Sequence, residues 1–349
     1  MSFQGTALRV VAAEKIEQQP LTISRIPENH VLVSPVLAGI CQSDLRYYFG
    51  RRSPEVLKKK YPLALLHEGV CKVEEATAQF DKGELVVLIP NIPCTVHQGD
   101  NCYSCTHGLP ENFCQNVRFM SSSVDGMTQS LFVQHSSCLA RIPEHVSKEC
   151  AVLAELLSVS HCALQAQKVK STDRVIIFGA GPTGYLCANF FSSFYGITKD
   201  RLYLADIQKD RLQRAQDFAQ TLVIGQDTLP RNVDLAVECV GRHHAAKAIK
   251  TAQECLRVQG TLLLLGVSEE PLPIATRPLL EKGIRMVGST RSGRKDFPPV
   301  LELMTDEQFS QRILRILDEK RFTATKEGLT NAFTYADQGR GTKVLLTWT

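Results

Sequence analysis

The sequence predicts an α/β protein in which a mostly β domain is joined to a doubly wound, parallel-sheet domain. Two observations carry this. Between residues 31 and 75, and again over 85–89, short β-branched runs alternate with Gly, Pro and polar turns, and helix signals are scarce. After about Glu149 strands and helices alternate, as in a parallel sheet covered on both faces. The 349 residues, 44% hydrophobic and 22% charged, suffice for two such domains with separate cores.

In the second part the pattern predicts a helix over 151–168, a strand over 174–178, a glycine turn over 179–184 and a helix through Phe194. A strand at 202–205, a helix at 209–220 and strands at 222–224, 235–239, 261–265 and 284–288 follow. From Phe297 onward come two helical segments and a strand at 343–348. That strand has no place in a six-stranded nucleotide sheet, so it is expected to return to the first domain.

Lys and Arg total 40 against 36 Asp and Glu, an excess too small to favour nucleic acid or membrane partners. Residues 1–10 lack the basic start and apolar core of a secretion signal, and no apolar run approaches the ~20 residues needed to span a bilayer. A cytoplasmic protein is expected. In a reducing compartment its twelve cysteines serve packing, metal or catalysis rather than disulfides. Cys138, Cys150, Cys162, Cys187, Cys239 and Cys255 lie in apolar patterns and are expected in the core.

The turn Gly179-Ala180-Gly181-Pro182-Thr183-Gly184 follows an apolar strand and opens a helix. Gly179 permits the tight turn, Gly181 lets the backbone approach a pyrophosphate, and Gly184 lets the helix close on the strand. Asp206, at the end of the second strand, lies where such sites hold the adenosine ribose. An acid there repels a 2′-phosphate and leans toward NAD over NADP; Lys209 and Arg211 pull the other way. Val240, Gly266 and Val267, on later turns, complete the expected cofactor contacts.

Cys41, His67-Glu68 and Glu155 supply a thiolate, an imidazole and two carboxylates, the donors zinc takes. A catalytic zinc needs three protein ligands and an open position, so Cys41, His67 and one or both acids suffice. Cys94, Cys102, Cys105 and Cys114, within 21 residues, fit a closed structural zinc on a loop. The rival reading, a zinc knuckle gripping nucleic acid, is disfavoured because no Lys or Arg lies between Pro93 and Asn116. Core packing without metal is the third reading.

With these motifs in one order, the whole chain resembles the zinc-containing medium-chain dehydrogenases/reductases of alcohol and sorbitol dehydrogenase type. Within them it is most similar to bacterial ribitol-5-phosphate dehydrogenases, or ribulose-5-phosphate reductases. Residues 46–50 (RYYFG), 65–70 (LLHEGV), 265–269 (LGVSE), 281–283 and 292–297 (SGRKDF) carry that likeness. The resemblance implies a GroES-like catalytic domain over 1–157 and 293–349 around a Rossmann domain over 158–292. It implies zinc on Cys41, His67 and Glu155 with Glu68 beside them, NAD(H) or NADP(H) as cofactor, and a homodimer or homotetramer. It also implies ribulose 5-phosphate and ribitol 5-phosphate as substrates, feeding CDP-ribitol and cell-surface polymers.

This sequence departs from the family in two places. Leu66 stands where most alcohol dehydrogenases have glycine, a change the ribitol-phosphate branch shares. In the cysteine loop Gly99 occupies the usual first position, so Cys94 would have to substitute from farther back. The branch is described as NADPH-dependent, against the lean of Asp206.

Ser43, two residues from Cys41, is placed either to start a proton relay or to serve as a cap or turn former. Arg46, Arg51, Arg52, Arg291, Arg294 and Lys295 are candidates for a substrate phosphate, with Arg291 weighted most because its stretch lies at the cleft in similar enzymes. Tyr47 resembles a tyrosine that contacts polyols there. The competing readings are an unphosphorylated sorbitol- or xylitol-type dehydrogenase and an inactive nucleotide-binding protein of the same fold.

Overall fold

The computed structural model describes residues 2–339 and 341–348. The chain divides into two compact units, one of Met1–Glu155, Ser292–Thr305 and Leu317–Thr349, the other of Leu156–Arg291 and Asp306–Ile316.

The first unit is built on a seven-stranded sheet. Its path runs Leu139–Arg141, Leu85–Leu88, Glu68–Val73, His30–Gly39, Lys343–Thr347, Leu317–Thr323, with Phe132–His135 also on His30–Gly39. His30–Gly39 is central, and its ladder with Glu68–Val73 slips between Pro35 and Leu37, where proline cannot donate a ladder hydrogen bond. The last strand pairs antiparallel with it, Leu345 opposite Gly39. Phe333 and Leu346 therefore enter the same core as Val33, Leu45, Leu65 and Val86.

Two features of this unit escaped the sequence pattern. The paired strands Phe3–Ala12 and Lys15–Ile23 precede the segment read as β. Leu317–Thr323 (LDEKRFT) is a strand whose buried position is Asp318 and whose Glu319, Lys320 and Arg321 are exposed, so no apolar alternation marks it.

The second unit is a six-stranded, all-parallel sheet. Counted in chain order within the unit, its strands lie 3-2-1-4-5-6: Gln220–Val223, Leu202–Asp206, Val175–Phe178, Val233–Glu238, Leu256–Leu264, Arg285–Gly288. All four residues of Val175–Phe178 are buried, as a central parallel strand requires. The helix read over 209–220 is only Lys209–Leu212 followed by a 3-10 turn. Tyr185, Arg315 and Lys199 donate to the carbonyls of Arg214 and Gln216, which a continuing helix would have used.

Asp306–Ile316 clusters with this unit, although 293–349 was expected to lie wholly with the first. Its helix Glu307–Leu314 buries Phe309 and Ile313, the Tyr185 hydroxyl donates to the Arg312 carbonyl at 2.6 Å, and Arg312 and Arg315 hold Asp217 at 3.1 and 2.7 Å. No described helix is long and apolar enough to cross a membrane.

In the first unit Arg294 forks onto Glu111, at 2.5 Å for the shortest contact, and donates to Ser137 at 2.9 Å, tying residues after the nucleotide segment to the cysteine loop. Burial raises the Glu111 carboxyl, but the guanidinium outweighs it and holds the group below its ordinary value. A lowered folded pKa means stability present above the unfolded value and lost as pH falls through the folded one. Glu111→Gln should lower Tm at pH 7 yet flatten its decline toward pH ~4, near the carboxylate range; parallel Tm–pH curves would contradict the pairing.

Candidate active site

Cys41 caps the short helix Gln42–Tyr48, and Asp44 in its first turn accepts the Cys41 N–H at 2.9 Å. The other Asp44 oxygen accepts the Leu66 N–H at 3.1 Å and lies 3.7 Å from His67 Nδ1. One buried carboxylate thus fixes the two backbone segments that carry Cys41 and His67. Leu66 has φ 70°, the left-handed region that glycine adopts freely, which accounts for the glycine usual at this position. Here the buried Leu66 side chain, its N–H on Asp44 and its carbonyl on Met127 N–H at 2.8 Å hold the turn.

His67 Nδ1 is 2.7 Å from Ser121 Oγ, and the ring also contacts Cys41. Burial pulls the imidazole pKa down, and Asp44 and Cys41 more than reverse it. One donor atom each from Cys41, His67 and Glu68 lie within 4.8 Å of one another. Sulfur, nitrogen and oxygen donors converging in a buried site fit zinc. Glu68 is fully buried, and its Oε2 has no aligned hydrogen bond.

Glu155 is the last residue of this unit and stands in the first turn of the helix Ala154–Gln165, outside the converging trio. Burial pushes its carboxyl up to about 7, with His67, Glu68, Lys343 and Asp44 in electrostatic reach. Ser43 lies half-buried beside Asp44. Asp44, Ser121 and Lys343, which sequence reasoning did not single out, all touch this cluster.

The sulfurs of Cys94, Cys102, Cys105 and Cys114 also lie within 4.8 Å of one another. Backbone N–H groups of Cys94 and Gln115 donate to Cys114 and Cys102 sulfurs at 3.3 and 3.4 Å, and hydrogen bonds led by the Cys105 N–H bring the Cys102 thiol down to about 6. Four cysteine sulfurs converging this closely fit a closed zinc site, although burial pushes the Cys105 and Cys114 thiols up in the metal-free protein. Cys94 takes the fourth place, not Gly99.

In the second unit Gly179 has φ 99°, and a Cβ on Gly184 would meet the Gly179 carbonyl at 1.8 Å, so only glycine closes the helix Pro182–Phe194 on its strand. A Cβ on Gly181 would meet nothing within 4 Å; the space beside this helix N-terminus, with Pro182 and Thr183 in its first turn, is open for a pyrophosphate. Asp206 is buried, its oxygens accepting the Ala180 and Gln208 N–H groups at 2.6 and 2.8 Å. Arg211 and Arg214 are half-buried; burial, with the neighbouring Arg211 charge, lowers the Arg214 pKa, and Arg214 Nε has no hydrogen-bond partner. Glu238 accepts the Val240 and Gly241 N–H groups, both at 2.7 Å, and fills the space a Cβ on Gly266 would need, setting the turns that carry Val240, Gly266 and Val267.

Of the substrate candidates, Tyr47 is buried with its hydroxyl 3.0 Å from Ser122 Oγ and the Arg52 guanidinium 4.5 Å over its ring. Arg46 is half-buried on the same helix as Tyr47. Arg51 is taken up by Asp337, with two contacts of 2.6 Å, and Arg294 by Glu111. Arg291, at φ 58°, closes the second unit's main segment; Lys295 is exposed in the first unit.

Comparison with known proteins agrees with this chemistry. The zinc-binding dehydrogenase family matches residues 201–306 and the alcohol dehydrogenase GroES-like domain residues 27–144. The chain belongs to the zinc-binding dehydrogenase family and is an oxidoreductase using zinc and a nicotinamide dinucleotide. It is 32% identical to ribulose-5-phosphate reductase 2 of Staphylococcus aureus over 92% of both chains, and 32% identical to the ribulose-5-phosphate reductase of Bacillus spizizenii over 88% of this chain and 89% of that one. The crystal structure of S. aureus TarJ in complex with NADPH superposes with a TM-score of 0.84 at 27% identity, covering 99% of this chain and all of that one. L-idonate 5-dehydrogenase of Escherichia coli shares the fold, with a TM-score of 0.86 at 24% identity over 99% of each chain.

Asp44 needs two acceptor oxygens, one for each N–H it receives, and asparagine supplies one acceptor and a clashing donor. Asp44→Asn should weaken zinc binding about 10- to 100-fold, the usual cost of losing a group that orients a ligand, read by competition with a chromophoric chelator. Unchanged affinity would remove Asp44 from the site.

Proposed function

We propose that this chain interconverts D-ribulose 5-phosphate and D-ribitol 5-phosphate with NADP(H), in the cytoplasm, supplying ribitol phosphate for CDP-ribitol and surface polymers. The observation that carries it is the run of ribulose-5-phosphate reductases, 30–32% identical, among its relatives. Cys41, His67 and Glu68 would hold the zinc, with Glu155 beside them, and the four-cysteine cluster would hold the second. Bound zinc supplies Lewis acidity toward the substrate oxygen, and the bound dinucleotide supplies or accepts the hydride. Ser43 is the first proton carrier, and Asp44 and Ser121 keep the imidazole tautomer fixed.

For NADP(H), the two adjacent guanidinium groups of Arg211 and Arg214 are the proposed seat of the 2′-phosphate. Asp206, its oxygens already receiving backbone N–H groups, opposes that phosphate less than its charge suggests. Arg46, Arg291 and Lys295 are the proposed contacts to the substrate phosphate, and Tyr47 to the polyol. A homodimer through the edge strand Arg285–Gly288, which pairs on one side only among the described residues, suits the assembly.

A second reading, an unphosphorylated polyol dehydrogenase, is favoured by relatives named D-xylulose reductase at 26–27% identity. The two separate by assay. The zinc-loaded protein should oxidise NADPH with ribulose 5-phosphate at a kcat/KM at least ~100-fold above that with xylulose or fructose, the discrimination a charged phosphate site can supply. Arg291→Ala should raise KM for the sugar phosphate far more than for its unphosphorylated analogue. Equal kcat/KM values would reject the phosphate-specific reading.

A further inference from the structure

Lys343 is the one buried lysine among the described residues, at 4% exposure, and it comes from the last strand. Its Nζ lies 2.6 and 2.9 Å from the two oxygens of Glu68 and donates to the Ile40 carbonyl at 3.2 Å. The strand ladder explains how it gets there. Gly39, on the middle strand, stands opposite Glu68 on one side and opposite Leu345 on the other. A Cβ at Gly39 would lie 2.9 Å from Glu68 Oε2 and 3.1 Å from Lys343 Cδ. The missing side chain is the slot through which the lysine reaches across one strand to the carboxylate.

Acidic donors crowd around this pair: Glu68 itself, the Cys41 sulfur beside it and Glu155 within electrostatic reach. Asp44, a further buried acid, receives the backbone N–H groups of Cys41 and Leu66 and stands beside His67. Cys41 and Glu155 both lie within electrostatic reach of the Lys343 ammonium. Without the metal, Lys343 pairs with both oxygens of Glu68, and a buried carboxylate left without a partner is strongly destabilising.

We propose that Lys343 is a built-in countercation: it stands in for part of the metal's charge, keeps the ligand carboxylate Glu68 in place in the metal-free protein, and thereby loosens metal binding. Lys343 is a positioning residue acting through Glu68. The proposal rests on the reading of Cys41, His67 and Glu68 as metal ligands.

Cobalt(II) tests it, because its visible spectrum separates a one-sulfur site from a four-sulfur one. Lys343→Met should bind cobalt at the one-sulfur site about 10- to 100-fold more tightly than the parent, the effect of removing one unit charge a few Å away. Its metal-free form should melt well below the parent's, and its metal-loaded form close to it. Lys343→Arg should match the parent, and Glu68→Gln/Lys343→Met should recover metal-free stability. Parent-like or weaker cobalt binding in Lys343→Met, or a double variant as unstable as the single one, would overturn the proposal. If Lys343→Met is obtained only with metal present, that supports it; if it is insoluble either way, the parent decides, since its chelator-stripped form must still melt cooperatively and an unfolded form would overturn the proposal. Absence of any one-sulfur cobalt spectrum in the parent would instead sink the ligand reading itself.

Discussion

The first unit is organised around one electrostatic constraint: ionisable side chains crowd into a space that excludes water, and each must find a partner within the protein or on a metal. Burying an unpaired charge costs several kcal/mol, comparable with a whole domain's net stability. Asp44 meets two N–H groups, His67 meets Ser121, and Glu68 meets Lys343. These partners come from strands and turns far apart in sequence, so the seven-stranded sheet must close before the site exists. The return of the last strand to His30–Gly39 is therefore a condition of the chemistry as well as of the core.

The second unit solves a different problem with backbone. Three glycines at the first strand's end serve three separate purposes: a positive φ at Gly179, open space at Gly181, and contact with a carbonyl at Gly184. Glu238 does the same for the later turns by receiving two N–H groups. An anion can approach N–H groups there without any side chain being committed to it, and Asp206, Arg211 and Arg214 are the charged side chains proposed to discriminate between dinucleotides.

The legible parts of the sequence were those whose signals are local. The glycine turn spans six residues and shows its geometry in its letters. The alternation of strand and helix after Glu149 marked the parallel sheet, and Cys41, His67 and the acids were visible as donor types. What could not be read was long-range. Nothing in the letters says that Glu68 converges with Cys41 and His67 while Glu155 lies outside that trio, because the strand register that sets Glu68 opposite Gly39 is long-range. The Cys94 assignment was open for the same reason, its spacing being irregular until the loop folds. Leu317–Thr323 hid because Glu319, Lys320 and Arg321 face solvent and its buried position is an acid, Asp318, and the early end of the 209–212 helix depends on side chains of Tyr185, Lys199 and Arg315.

The central claim is that Cys41, His67 and Glu68 together surround one catalytic zinc. Diffraction from crystals of the zinc-loaded protein, recorded on both sides of the zinc absorption edge, tests it most directly. The account predicts an anomalous peak bonded to Cys41 Sγ, His67 Nε2 and a Glu68 oxygen, with Lys343 still on the other side of that carboxylate. A peak found only among the four loop cysteines, or a zinc beside Cys41 that Glu68 does not touch, would contradict it.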